Sequence, residues 1–202
     1  MGTVGLLYVG AILFINGLAL MGRVKGTGAT PLNWFVGFLQ VVTPTYLIFT
    51  ADGNADQIIG ASGLYLFGFT YLYVAMNNTW GHDGTGLGYY SLFVAIIAIF
   101  FAVINLVRYS DYAFFVIWLQ WSFLWYLFYL VLGRERSELT WFTGGVAAVQ
   151  GWITAAIPAV LMLAGLWQSV PSLWLGIAEA AVFVIAAIIL KQTITRHVSV
   201  AR

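Results

Sequence analysis

YYSLFVAIIAIFFAVINLV, residues 89–107, runs without one charged side chain. An α-helix rises about 1.5 Å per residue, so a hydrocarbon core ~30 Å thick is crossed by about 20 consecutive apolar residues, and this stretch has that length. Three stretches before it (3–22, 33–51 and 57–77) and three after it (112–132, 143–167 and 173–190) read the same way. Composition agrees independently. Of the 202 residues 62% are hydrophobic and 7% charged, with a mean hydropathy of +0.93, whereas a soluble chain typically carries about 25% charged residues. The reading is an all-α integral membrane protein, a bundle of seven transmembrane helices.

The basic residues orient the bundle. With the N-terminus outside and the gaps alternating, the inside gaps hold Arg23, Lys25, Arg134, Arg136, Lys191, Arg196 and Arg202, seven of the eight Lys and Arg residues. Only Arg108 falls outside. That bias is the positive-inside rule, and it predicts an external N-terminus and a cytoplasmic C-terminus. Residues 3–22 lack a basic leader and a small-residue cleavage pattern, so they read as a retained helix rather than a signal peptide. The spans nearly consume the chain, and a single domain is expected.

Turn residues punctuate the spans. Thr30-Pro31 and Asn33 open the second, Asp52-Gly53-Asn54 closes it, and Gly81-His82-Asp83-Gly84 is a short inside turn. Gly133 to Ser137 is the largest charged loop, and Val170-Pro171-Ser172 is a tight external turn. Pro44 and Pro158 lie within spans, where a kink is expected. Gly5 to Gly10 echoes Gly63 to Gly68, too short a match to establish a repeat.

Several functional classes are excluded. A chain without cysteine has no disulfide, thiol catalysis or cysteine-ligated metal. The net charge of +1 gives no reason to expect nucleic acid as a partner. Retinal attachment would need a lysine within the last helix, but Lys25 and Lys191 sit at membrane edges. No span presents a nucleophile with its base, a metal cluster or paired carboxylates, so no enzyme, cofactor or metal is expected.

What remains is polar and aromatic. Glu179 is the carboxylate placed well inside a span, either bonded to a neighbour or serving a proton-coupled small-solute transporter. Asn16, Gln40, Asn105, Gln120 and Gln150, with Thr43, Thr70, Ser122 and Thr154, donate and accept hydrogen bonds without charge. They suit a neutral solute, and about half are accounted for as bonds between helices. Trp34, Trp80, Trp141, Trp167 and Trp174 lie near span ends, as interfacial belts require. Trp118, Trp121 and Trp125 instead share one face in the middle of the fifth span. Those indoles either pack against lipid or a neighbouring helix, or wall a narrow pore that excludes hydrated ions.

A family resemblance bears on that choice. Leu6-Leu7-Tyr8-Val9-Gly10, Asn16-Gly17, Asn33-Trp34-Phe35-Val36-Gly37 and Leu66 through Tyr73 occur in the order found in the AmiS/UreI family of bacterial urea and amide channels. Tyr90 through Ile96, Ile117-Trp118-Leu119 with Trp121, Leu124-Trp125, and Ile157-Pro158-Ala159 continue it, so the chain resembles that family over roughly residues 1–167. The resemblance implies a passive channel in the bacterial inner membrane, assembled as a ring of six protomers in lipid, each with its own pore. It carries pore positions onto Leu6, Val9, Leu13 and Asn16, onto Phe67 and Tyr71, and onto Trp118, Trp121, Leu124 and Trp125. Trp121 falls at the outer constriction and Trp125 at the inner one, with Asn16 and Tyr71 placed to hydrogen-bond the solute.

Departures from the pattern narrow the expectation. The acid-gated members have histidine-rich external loops, whereas His82 and His197 are both assigned inside, leaving no external group to titrate near pH 6. Gln150 stands where the family has a pore-facing glutamate. A six-helix core over 1–167 is followed by an additional helix over 168–190 and a basic tail over 191–202. The combination is similar to the amide-transport branch, whose members accompany cytosolic amidases. Short aliphatic amides and urea are the expected solutes, without acid gating.

Overall fold

The structure, a computed structural model, describes residues 2–200, with side chains described through residue 193. The side chains of Arg196 and His197, and Arg202 altogether, therefore lie outside the described residues. Seven helices among those described are long and apolar enough to cross a membrane: α1 (Gly2–Leu20), α2 (Thr27–Phe49), α3 (Ala55–Trp80), α4 (Thr85–Tyr109), α5 (Tyr112–Gly133), α6 (Ser137–Leu163) and α7 (Ser172–Thr193). Each overlaps one of the seven apolar stretches. No strand occurs among the described residues.

The turn residues act as caps. Asn54 Oδ1 accepts the backbone N–H groups of Asp56 and Gln57 at 3.0 and 3.1 Å, and Asp111 Oδ1 accepts that of Phe114 at 3.0 Å. Each satisfies donors that the first helical turn would otherwise leave free. Gly81 ends α3 in the left-handed region at φ 72°. The sixth span stops at Leu163, short of the Trp167 read from the sequence. Gly165 adopts φ +72°, and the Leu166 N–H turns back to the Leu161 carbonyl at 2.8 Å, the bond of a glycine-terminated helix end. Trp167 consequently folds inward, 8% exposed, edge-on to Phe114 with centroids 6.2 Å apart. It does not belong to the interfacial belt, whereas Trp80 and Trp174 are exposed.

The prolines are accommodated differently. Pro158 has no N–H for the Thr154 carbonyl, and a π-helical turn over Gly151–Ala156 takes up the irregularity just before it. Pro44 lies inside the α-helical course of α2 and leaves the Gln40 carbonyl without its helical donor. Gly68 of α3 meets that carbonyl so closely that a Cβ there would lie 2.8 Å from the oxygen.

Small residues set the pairing. A Cβ at Gly10 would lie 2.6 Å from the Gly151 carbonyl oxygen, and one at Gly17 would lie 2.5 Å from that of Gly144. Seven residues separate the glycines on both helices, so α1 and α6 meet backbone to backbone at two successive points. Gly37 and Gly68 bring α2 onto α3, and Gly88 against Gly133 joins α4 to α5. The pairs adjoin in turn, α1 to α2, α3 to α4 and α5 to α6, closing a ring of six helices. Leu6, Val9, Leu13, Phe67, Tyr71 and the α5 tryptophans form the buried centre. The last helix, α7, packs on α5 and α6.

Candidate permeation site

A cavity of about 370 Å³ penetrates the ring from the end that carries His82 and Gly84. Leu13 and Asn16 of α1, Phe67, Thr70 and Tyr71 of α3, and Trp121, Leu124 and Trp125 of α5 form its deep part. Nearer the mouth lie Asn77, Asn78 and His82. The lining includes no Asp, Glu, Lys or Arg. Beside the mouth, the Thr85 hydroxyl and backbone N–H donate to the Asp83 carboxylate and hold it below the usual carboxylate range.

Aromatic rings close the inner end. Phe67 stands edge-to-face to Trp121 and Trp125, with centroids 4.8 and 4.7 Å away, and Trp121 meets Trp118 in the same manner at 4.9 Å. Trp118 stacks on Phe101 of α4 at 4.7 Å. The indole N–H groups are used elsewhere. Trp121 Nε1 donates to Thr154 Oγ1 at 2.8 Å, and Trp125 Nε1 donates to Thr70 Oγ1 at 3.3 Å. Each threonine hydroxyl in turn donates to a carbonyl of its own helix, Gln150 and Leu66 respectively, at 2.7 Å. A buried N–H without a partner would be costly, so the threonines fix the rings while leaving their carbon faces as wall.

Polar atoms are sparse along this wall. The Tyr71 hydroxyl is buried and has no partner among the described residues. Asn16 and Asn33 exchange reciprocal amide bonds of 3.0 and 2.8 Å, and Asn33 also donates to the Ala29 carbonyl at 2.9 Å. Because a side-chain amide has two N–H groups and two lone pairs on its oxygen, Asn16 keeps one donor and one acceptor beyond this pair. Asn77 Nδ2 donates to the Asp83 carbonyl at 3.1 Å, while its Oδ1 has no partner among the described residues.

The residues singled out in the sequence divide into two groups. Leu13, Asn16, Phe67, Tyr71, Trp121, Leu124 and Trp125 line the cavity together. Leu6, Val9 and Trp118 lie beyond its closed end, buried in the same core. Gln150 is fully buried off the cavity, and its Nε2 donates to the Gln120 carbonyl at 3.0 Å. Glu179, on α7, is not on the cavity wall either. Sequence reading placed Thr70 and Thr154 among polar residues without assigning them to the indoles, and it used Asn33 as a helix opener and a family-motif residue without pairing it to Asn16. Their partners lie 55, 33 and 17 residues away, and nothing local marks such pairings.

Residues 1–166 match the family described as AmiS/UreI family transporter. The chain belongs to the AmiS/UreI family. A Mycolicibacterium smegmatis protein, whose name assigns it to the transport of amidate substrates, is 51% identical over 98% of this AmiS/UreI chain and 92% of its own length. A Rhodococcus erythropolis protein named as the transporter AmiS2 is 48% identical over 89% of this chain and 87% of its own. The crystal structure of the urea channel from Helicobacter pylori superposes with a TM-score of 0.74 at 33% identity, covering 83% of this chain and 99% of that one. This AmiS/UreI protein is thus a multi-pass inner-membrane protein of a family of amide and urea transporters and channels, not of enzymes. The family match ends before α7, whereas the Mycolicibacterium match extends through it.

Proposed function

We propose that the protein is a passive channel for small neutral amides, short aliphatic amides first and urea also, with the passage running along α1, α3 and α5. The observation that carries this reading is the chemistry of the cavity: apolar and aromatic walls, no carboxylate or ammonium, and on the same lining Asn16 and a Tyr71 hydroxyl without a partner among the described residues. A carboxamide needs one acceptor for its N–H groups and one donor for its carbonyl, and it carries no charge whose dehydration must be repaid. Trp121 and Trp125 are the outer and inner constrictions, and Leu6, Val9 and Trp118 extend the passage beyond them. Gln150 serves it from behind, holding the Gln120 carbonyl. The amide-related name of the Mycolicibacterium relative favours amides over urea as the principal cargo. Functional coupling to a cytosolic amidase or urease and assembly as a ring of six belong to the same reading. The exposed apolar stripe of Phe35, Phe38, Val42 and Tyr46 is a surface for lipid or a neighbouring protomer.

Stopped-flow uptake of acetamide, urea and acetate ion into proteoliposomes without any ion gradient tests the proposal. Acetamide should enter faster than into empty liposomes, urea should follow within about tenfold, and acetate should not enter. Acetamide uptake at the empty-liposome rate would refute the channel, and accumulation that requires a proton gradient would establish proton-coupled transport instead.

The N-out, C-in orientation places the cavity mouth toward the cytoplasm. Reporters inserted after Ser137 and fused after Arg202 should then both be cytoplasmic; external labelling of either reverses the assignment. The opposite face bears Asp52, Asp56, Arg108 and Asp111 but no histidine. Acetamide flux is therefore expected to change by less than about twofold between external pH 5 and 7. Steep acid activation would show a sensor elsewhere.

A further inference from the structure

Gln40 of α2 is fully buried, yet both polar atoms of its side-chain amide are without a hydrogen-bond partner among the described residues. That is a costly arrangement, since the amide has two N–H groups and two lone pairs to satisfy. A glutamine kept to join helices would be bonded across a seam. Asn33, seven residues earlier on the same face of α2, is bonded in that way, exchanging reciprocal amide bonds of 3.0 and 2.8 Å with Asn16 of α1.

Two glycines define where the Gln40 amide sits. The backbone of Gln40 lies against Gly68 of α3, where a Cβ would come 2.8 Å from the Gln40 carbonyl oxygen. The side chain reaches the other way, to α1, where a Cβ on Gly5 would overlap Oε1 and lie 3.3 Å from Cδ. Gly68 follows Phe67, whose ring helps to close the cavity, and Gly5 precedes Leu6, which lies beyond that closed end. The amide therefore spans the seam between α3 and α1 at the level where the cavity stops. Gln40 is not on the cavity wall, and Leu6 and Val9, which carry the passage onward, offer no side-chain hydrogen bond. An amide solute in that stretch would stand dehydrated and unpartnered. We propose that Gln40 is a second hydrogen-bonding station for the permeating amide, on the outer side of the aromatic closure. Its Nε2 donates to the solute carbonyl and its Oε1 accepts a solute N–H, the two-bond pairing of amides that Asn16 and Asn33 display within this protein. The inference rests on the reading of a passive amide channel along α1 and α3.

The test compares wild type, Gln40→Met, Gly5→Ala and the double variant as full-length protein in proteoliposomes. Acetamide uptake is normalised to the monodisperse protein reconstituted, and melting is recorded in mild detergent. Methionine keeps the unbranched shape and removes the amide. Gln40→Met should lower acetamide uptake by roughly fivefold and melt no lower than wild type, because no bond between helices is lost. Gly5→Ala places a methyl where Oε1 now lies, turns the amide aside and should lower uptake by roughly threefold. In the double variant the loss should match that of Gln40→Met within about twofold, because both substitutions act on one amide. Uptake by Gln40→Met within about twofold of wild type overturns the proposal. So does a Gln40→Met variant that fails to fold, because the glutamine would then hold the helices together, and so do losses that multiply in the double variant. Failure of the channel reading would be separate, appearing as wild-type uptake no faster than in empty liposomes.

Discussion

Trp121→Ala is expected to cost the pore its selectivity. The indole is 3% exposed, edge-on to both Phe67 and Trp118, and tied to Thr154. Alanine removes the ring from the closed end of the cavity without removing a charge and leaves the Phe67 edge facing a void. In soluble cores such truncations cost about 3–5 kcal/mol, part of which is the residual cavity. In lipid the lost packing contacts remain as the principal term. Uptake of isobutyramide relative to acetamide should rise by about tenfold, equivalent to ~1.4 kcal/mol of discrimination. Trp125→Ala should act in the same direction, since Trp125 closes the other side of Phe67 at 4.7 Å. Trp174→Ala, at an exposed position near the start of α7, should leave both rates within about twofold. Equal changes at all three positions would mean that the indoles support the fold and do not filter solute.

Gly10→Leu is expected to abolish assembly of the bundle. A Cβ at this position would lie 2.6 Å from the Gly151 carbonyl oxygen, 2.7 Å from the Ala156 nitrogen and 2.8 Å from the Ala156 Cβ. Two of these atoms belong to backbone, so no rotamer change relieves the clash, and α1 must separate from α6. Overpacking of a side chain costs about 1–3 kcal/mol where neighbours can yield; here the cost falls on the contact that closes the ring. The folded, monodisperse fraction extracted in mild detergent should fall by roughly tenfold or more, as a loss of ~1.4 kcal/mol or greater requires. Gly60→Leu is the control, because nothing lies within 4 Å of a Cβ there. It should extract as wild type does. Normal yield and melting of Gly10→Leu would show that α1 and α6 are not held by this approach.

The spans, their number and most of their ends were legible in the sequence because each depends on local properties. Span length is set by bilayer thickness, and Asn54 and Gly81 act on backbone groups within a few residues of themselves. The shared face of Trp118, Trp121 and Trp125 followed from helical periodicity, and the family resemblance added the facing positions on α1 and α3. Where local reading failed, a local signal had been passed over: Gly165 ended the sixth helix early, and Trp167 turned inward in consequence.

The sequence by itself therefore determined a seven-span membrane protein and a row of indoles on one helix. Only the tertiary structure decided which face of each helix turned inward, that Trp121 and Trp125 spend their N–H groups on Thr154 and Thr70, and that Asn16 pairs with Asn33. It also decided that Gln150 turns away from the cavity, holding the Gln120 carbonyl. The physical reason is the solvent. In water, a helix advertises its buried face by an apolar stripe, but lipid tails are as apolar as the core, so helices that are hydrophobic all round carry no such mark. Their arrangement is set instead by close approach at glycines and by hydrogen bonds between residues far apart in the chain, and those partners become known only when the helices are in place.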